Sequence, residues 1–187
     1  MAYTFAKVPQ NAFNELQVEA GVLLTDFDPT DPELVDANIL CATTGGINAS
    51  CVPTFSDWAE DVDNAPNNMK EFKRIDGWDC TFTFTALSIT TDMIKLGLGA
   101  ADIDGAKVTP RRQLNAETDF SDLWWVGDTT DDGFVAVKLI NALSTGGFSI
   151  QSGKNAKGQF PITLTGHVSI EAQDVVPMEF YVGTTTE

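Results

Sequence analysis

The single histidine is the first residue in this chain that could do acid–base chemistry, and its surroundings argue against that use. His167 alternates with Thr165 and Ser169 on the polar side of a predicted strand. A histidine base needs a nucleophile and an orienting acid beside it, and the sequence contains neither G-x-S-x-G nor H-E-x-x-H. It also has no phosphate-cradling glycine loop ahead of a helix. The sequence therefore predicts a protein that is not an enzyme and needs no cofactor.

Acidic clusters are the other candidates for chemistry, because carboxylates are the ligands that calcium prefers. One cluster comprises Asp26, Asp28, Asp31 and Glu33, and a second comprises Asp57, Glu60, Asp61 and Asp63. Read as an EF-hand loop from Asp26, the first has Asp31 where glycine is required and Ala37 where a bidentate glutamate is required. Solvated acidic loops are far commoner than ion sites, so no metal is predicted. A looser calcium site in either cluster remains an alternative.

The three cysteines are predicted to be buried free thiols. Cys41, Cys51 and Cys80 are odd in number and form no C-x-x-C pair, so neither a disulfide framework nor a zinc ribbon is indicated. Cys80 is in phase with Phe82 and Phe84, which places it on the apolar face of a strand.

Charge and length narrow the class of protein. The chain has 27 acidic and 11 basic residues, for a formal net charge of -16. A surface this acidic repels phosphate, so tight nucleic-acid binding is not expected. No apolar run approaches the ~20 residues that span a bilayer, and the N-terminus lacks the apolar core of a secretory signal, so no membrane association is expected. The 187 residues are predicted to form one domain.

Apolar periodicity predicts a mostly β protein. Predicted strands cover residues 18–25, 39–42, 47–55, 78–89, 123–126, 134–143, 160–170 and 178–182. Thr90 or Thr91 caps one short helix that ends at Gly97 or Gly99. The expected fold is a β-sandwich or small barrel of two packed antiparallel sheets with one flanking helix.

Two features of these strands carry further expectations. The glycines in Thr43–Gly46 predict a hairpin turn with positive φ. The run Phe134–Leu143 is apolar on both phases, so both of its faces should be buried, either by another subunit or by the helix.

Two segments look unlike strands. Residues 1–16 are predicted to be an N-terminal arm with spaced aromatic residues, among them Tyr3, Phe5 and Phe13. Residues 57–76 are predicted to be a long polar loop, which in a compact domain is either functional or mobile.

Several segments of the chain resemble the major tail tube proteins of long-tailed bacteriophages with flexible tails. They are TTGGIN at 43–48, DWAEDVDNAP at 57–66, VTPRRQL at 108–114, FSDLWWVGD at 120–128, ALSTGGFSIQS at 142–152 and TGHVSIEAQDVVPMEFYV at 165–182. The resemblance covers most of the chain from about Ile39 onward. These are packing and turn motifs, so they indicate an architecture.

The resemblance implies a virion structural protein of the tail tube and type VI secretion tube superfamily. Such a subunit closes into hexameric rings that stack into a hollow conduit for the genome. It also implies tape measure, tail terminator and baseplate proteins as partners, with assembly in the bacterial cytoplasm and a final location in the virion tail. The loop at 57–76 matches the segment that reaches a neighbour, and its apolar residues would anchor it. The expected self-assembly residues are Trp58, Met69, Phe72, Ile75, Tyr3 and Phe5.

A β-sandwich binding module of a virion is the alternative. Trp58, Trp124 and Trp125 could stack on sugars of a carbohydrate or host-surface ligand, with calcium assisting. Trp124 and Trp125 are consecutive in a strand, however, so at least one must point inward.

Overall fold

The computed structural model describes residues 8–9, 12–13 and 16–184. The strands are β1 (Gln17–Leu24), β2 (Thr43–Asp57), β3 (Lys73–Ala86), β4 (Ala101–Asp104), β5 (Lys107–Pro110), β6 (Ser121–Thr129), β7 (Gly133–Ser144), β8 (Phe160–Thr165) and β9 (Met178–Thr184). One α-helix, α1 (Thr91–Leu98), and a short 3-10 helix (Asp36–Asn38) accompany them. The prediction of a mainly β fold with one short helix is confirmed.

Seven of the strands form one antiparallel sheet that divides at β7. The strand order is β1-β6-β7-β8-β3-β2, and β9 pairs with β7 outside this path. Gly133–Leu139 of β7 pairs with β9, whereas only Leu143 and Ser144 pair with β8. The described strands form no closed barrel, because the path ends freely at β1 and β2. β4 and β5 make a separate hairpin.

The two halves of the sheet pack on each other through a shared core. Cys80, Phe82 and Phe84 of β3 lie in one buried cluster with Leu139 of β7 and Leu164 of β8. On β3 the threonines between these residues are less buried, so the predicted period-two alternation is confirmed.

Both faces of β7 are buried, as its sequence predicts, but the second face is covered neither by another subunit nor by the helix. Val137 and Leu139 face the main core, while Phe134 and Ala136 belong to a second cluster. Phe27, which follows β1, packs edge-on against Phe134 at a centroid distance of 5.5 Å. The chain therefore covers the second face of β7 with the segment after β1, and neither a second subunit nor the helix is needed there.

The helix has the predicted ends. Thr90 Oγ1 accepts a hydrogen bond from Met93 N at 3.2 Å, which caps the first turn. Gly99 ends the helix at φ 77, a conformation that glycine adopts without a Cβ penalty. Met93 is buried, and Ser144 Oγ donates to Gly97 O at 2.7 Å, which ties the helix to β7.

Several boundaries differ from the prediction. Thr43–Gly46 is not a turn between two strands but part of β2, where Gly45 and Gly46 have positive φ within a register shift opposite Thr85 and Phe84. Residues 39–42 form only a bridge from Ile39 to Leu24. The predicted loop at 57–76 is shorter, because β2 extends to Asp57 and β3 begins at Lys73.

The strand predicted at 160–170 ends at Thr165, because the chain then leaves β3 and crosses to β7 at the tightly packed Gly166. A Cβ there would lie 2.8 Å from Leu139 Cδ1 and 2.8 Å from Pro177 O. Gly166 N still donates to Cys80 O at 2.9 Å in the register of β8 with β3, and His167 N then donates to Ile140 O of β7 at 3.1 Å. Residues 166–170 of the predicted strand therefore lie beyond β8, and Ile170 is 83% exposed.

Candidate assembly surface

The β2–β3 hairpin extends beyond the sheet that supports it. β8 pairs with β3 only from Thr81 to Ala86. Residues 52–57 of β2 remain paired with residues 73–79 of β3, and no other described strand pairs with them. We call these two segments the outer ribbon.

A β-bulge at Asp76 sets which side chains of the outer ribbon share a face. Thr54 pairs with Gly77, but Phe55 pairs with Ile75, so Asp76 is the extra residue. Its carboxylate accepts a hydrogen bond from Ser56 Oγ at 2.9 Å.

Because of the bulge, large apolar side chains on both strands point the same way. Directly opposite residues share a face, and the register pairs Pro53 with Trp78 and Phe55 with Ile75. We call these four residues the apolar face. Phe55 is 52% exposed, Ile75 47% and Trp78 38%.

The apolar face continues the core-facing side of the same hairpin. Cys51 pairs with Cys80, and Ala49 pairs with Phe82; both pairs contribute to the main core. With period two, residues 49, 51, 53 and 55 of β2 lie on one side. The core-facing side thus runs past the end of the opposing sheet and leaves its outermost large side chains half exposed.

An open groove runs beside this face. It has a volume of about 400 Å³ and lies between residues 75–78 of β3 and residues 173–177 ahead of β9, with Val168 also lining it. Its lining combines Ile75, Trp78 and Val175 with Asp76 and Asp174, so it offers both apolar and acidic groups.

The loop at 58–72 joins the two strands of the ribbon. The Asp57 carboxylate accepts hydrogen bonds from Ala59 N at 3.0 Å and Asn68 N at 2.8 Å, and Lys73 Nζ lies 4.0 Å away. Trp58 N donates to Phe72 O at 3.1 Å. The loop is therefore tied to the end of the hairpin by its own hydrogen bonds.

The predicted assembly residues fall into two groups. Trp58, Phe72 and Ile75 are all exposed, Met69 is half-buried, and Arg74 lies over the Trp58 ring at 5.0 Å from its centroid. Ile75 belongs to the apolar face. Tyr3 and Phe5 of the predicted arm lie outside the described residues.

A further part of the predicted arm does contact the fold. The carbonyl oxygen of Phe13 accepts a hydrogen bond from Thr130 Oγ1 in the turn between β6 and β7. Leu16 O accepts one from Thr130 N at 3.0 Å. The Phe13 side chain itself is exposed.

Sequence reasoning missed Phe55 and Trp78, and it also missed a second exposed apolar patch on β9. There Phe180 is 62% exposed and Val182 81% exposed, and they pair with Val137 and Val135 of β7. We call Phe180 and Val182 the β9 patch. The strand alternation of both segments was readable, but which face lacked a cover depended on the packing of distant strands.

His167 and Asp28, which the sequence analysis considered for catalysis and metal binding, form hydrogen bonds with neighbouring residues of the fold. His167 Nδ1 donates to Asn141 O at 3.2 Å, and the ring packs edge-on against Phe120 at 5.3 Å. Asp28 Oδ1 accepts hydrogen bonds from Thr30 Oγ1 and Thr30 N, which lower the pKa of that carboxyl group. Within the described part of the chain, no three His, Cys, Asp or Glu residues form a group that could hold a metal ion.

The tryptophans of the binding-module alternative do not form one platform. Trp124 is buried among Phe27, Tyr181 and Phe134, whereas Trp125 packs against the main core and donates from Nε1 to Ala20 O at 3.1 Å. The inference that at least one of them points inward is confirmed. Of the three tryptophans considered for sugar stacking, only Trp58 is exposed.

Loop order is expected to depend on the Asp57 carboxylate. The hydrogen bonds from Ala59 and Asn68, together with the charge of Lys73, hold the pKa of Asp57 below its ordinary 3.8. A lowered folded-state pKa means that the stabilisation is complete above about pH 4 and is lost as the pH falls through the folded pKa. In NMR titrations, the amides of Ala59 and Asn68 should therefore shift together below pH 4.

A substitution checks the same point at neutral pH. Asp57→Asn replaces one accepting oxygen with a donor, so trypsin should cut after the exposed Lys70 several times faster than in the parent chain. Asp61→Asn, in the same loop, is the matched control and should leave the rate unchanged. Equal cleavage of Asp57→Asn and the parent would show that the carboxylate does not order the loop.

Comparisons with known proteins add a structural likeness but no match to a family model or a curated sequence. The chain is similar to a chain in a solved structure of the virion of a native gene transfer agent (GTA) particle. The superposition covers 87% of this chain and 95% of the other, with 9% sequence identity and a TM-score of 0.43. At this TM-score and identity, the likeness assigns neither a function nor a partner to the chain. Among the described residues, no helix is long and apolar enough to cross a membrane.

Proposed function

We propose that this protein is the structural subunit of a phage tail tube, in which hexameric rings stack into a hollow conduit for the genome. The observation that carries the proposal is the apolar face of the outer ribbon, which extends the core-facing side of the hairpin beyond its cover. Fully burying one side chain of this size contributes about 1.5–3 kcal/mol. A second subunit would bury this apolar face, in keeping with the resemblance of the sequence to tail tube proteins.

The arrangement of exposed surfaces favours a ring. The apolar face and the β9 patch are different in sequence and lie on different strands, so contact between them would be heterologous. A heterologous contact repeated by rotation closes into a ring or grows as a filament.

Contacts between stacked rings need a further surface, which we assign to the loop at 58–72 and the N-terminal arm. Trp58 and Phe72 are exposed at the far end of the hairpin, with Met69 half-buried between them in sequence. We assign Tyr3 and Phe5 of the arm to the same contacts. Tape measure, terminator and baseplate proteins would meet the tube in the virion tail after assembly in the host cytoplasm.

A non-catalytic role belongs to the same proposal. The hydrogen bond from His167 to Asn141 O and the packing on Phe120 account for that histidine as a structural residue. We accordingly expect no hydrolytic, transferase or redox turnover.

Analytical ultracentrifugation over a range of concentrations tests the proposal. We expect the purified chain to pass from monomer to a six-subunit species or larger as its concentration rises. A chain that stays monomeric and is retained on a glycan array would instead support the binding module.

The net charge makes a separate prediction. At physiological salt, a chain with a formal charge of -16 should fail to retain double-stranded DNA in a gel shift, since retention needs basic contacts that release counterions. Such a surface would let the genome pass without adhering. Salt-sensitive binding at micromolar concentration would contradict a role as a DNA conduit.

A further inference from the structure

Two of the three cysteines lie directly opposite each other on the β2–β3 hairpin. Cys51 and Cys80 are register partners, and their Sγ atoms are 3.1 Å apart. Opposite residues of an antiparallel pair have Cα and Cβ separations close to those that a disulfide requires, so a small movement of the side chains would bring the sulfurs to the ~2.05 Å of a bond.

The pair occupies the base of the outer ribbon. Pairing of β3 with β8 begins at Thr81, the residue after Cys80. A bond between the two sulfurs would enclose the outer ribbon and the loop at 58–72 in one covalent ring, with the sandwich on the other side.

The two thiols differ in access. Cys80 is 0% exposed, and its burial and its contact with Cys51 raise the pKa of its thiol to about 12. Cys51 is half-buried, so a reagent from solvent reaches its sulfur first.

We propose that Cys51 and Cys80 are a modification site that forms an intrachain disulfide when the chain meets a small disulfide oxidant. The Cys51 thiolate attacks the oxidant RSSR, which forms a mixed disulfide at Cys51 and releases one thiolate that takes up a proton. Cys80 loses its proton and attacks the Cys51 sulfur, which releases the second RSH. Two electrons pass from the cysteine pair to the oxidant, and a dithiol reductant reverses the change.

The disulfide would hold β2 and β3 together covalently where the outer ribbon begins. Closing a ring that contains residues 51–80 restricts the unfolded chain, which raises thermal stability. The bond forms within one chain and does not require assembly. Its use in a particle rests on the proposed function, because a virion leaves the reducing cytosol for surroundings in which disulfides persist.

Mass spectrometry of the full chain tests the site. After incubation with oxidised glutathione and alkylation, two of the three thiols should be protected in most molecules. Trypsin cuts at Lys70, Lys73 and Arg74, so Cys51 and Cys80 fall on different peptides that remain joined without reductant. The melting temperature should rise by about 5–10 °C and return with dithiothreitol.

Three variants complete the test. Cys51→Ser should lose both the cross-link and the rise in melting temperature. If the Cys51→Ser variant does not fold, Cys80→Ala is used in its place and should give the same result. Cys41→Ser should retain both. Three alkylated thiols after oxidation, a stable glutathione adduct at Cys51, or a cross-link to Cys41 would each overturn the proposal. Because every readout uses the free chain, these results are independent of whether tubes form.

Discussion

Replacing Phe55 or Ile75 with glutamate is expected to abolish ring and tube formation while the subunit remains folded. Both side chains are about half exposed on the outer ribbon and oppose each other in the register. Substitution of an exposed strand residue changes stability by about 1 kcal/mol or less. In an assembled contact the same change removes roughly half of the about 1.5–3 kcal/mol that full burial of such a side chain contributes, and it also places a carboxylate where it cannot be solvated.

The concentration at which assembly begins should therefore rise at least about tenfold to hundredfold in each variant. Sedimentation velocity measures that threshold, and circular dichroism checks the fold. Phe55→Leu keeps an apolar side chain and should assemble nearly as well as the parent. Leu114→Glu is the control: Leu114 is exposed but belongs to neither the apolar face nor the β9 patch, so this variant should assemble normally. Assembly of Phe55→Glu at the parent threshold would remove the apolar face from the interface.

Deletion of the loop at 58–72 is expected to spare the fold and to prevent stacking of rings. Asp57 and Lys73 form the last pair of the register, so Asn-Gly between them can close a two-residue hairpin. The shortened chain should melt within a few degrees of the parent. It should give no tubes in electron microscopy, because the exposed Trp58 and Phe72 are lost.

A second variant separates loop length from loop sequence. A glycine and serine segment of equal length in place of residues 58–72 should also fail to form tubes, since it lacks apolar anchors. Limited proteolysis of the parent should show this loop cut in the free subunit and protected in tubes. Normal tubes from a folded deletion variant would show that the loop is not an assembly element.

Local patterns were sufficient for some of the regular elements, although they predicted no strand at β4 or β5. The alternation from Cys80 to Ala86 predicted the buried face of β3, and Thr90 and Gly99 predicted both ends of the helix. These signals depend on neighbouring residues in the chain, so a single sequence contains them. Positive φ at Gly45 was likewise predicted, although it lies next to a bulge instead of in a turn.

The sequence predictions that were wrong concerned features that depend on contacts between residues far apart in the chain. β8 stops at Thr165 because the chain then crosses from β3 to β7, where His167 N donates to Ile140 O, and no local pattern reports that partner. The second face of β7 is covered by Phe27, more than a hundred residues earlier in the chain.

The candidate surface was half predictable for the same reason. Trp58, Phe72 and Ile75 were anticipated from a long polar loop with apolar anchors. Trp78 was missed because the bulge at Asp76, which places it beside Ile75, follows from pairing between strands. Period-two counting alone would put Ile75 and Trp78 on opposite faces.

Electron microscopy of the purified chain at high concentration, beside Phe55→Glu, tests the central claim most directly. The account predicts six-fold rings and stacked hollow tubes for the parent and dispersed subunits for the variant. Dispersed monomers of the parent at every concentration, or tubes that form equally well from Phe55→Glu, would contradict it.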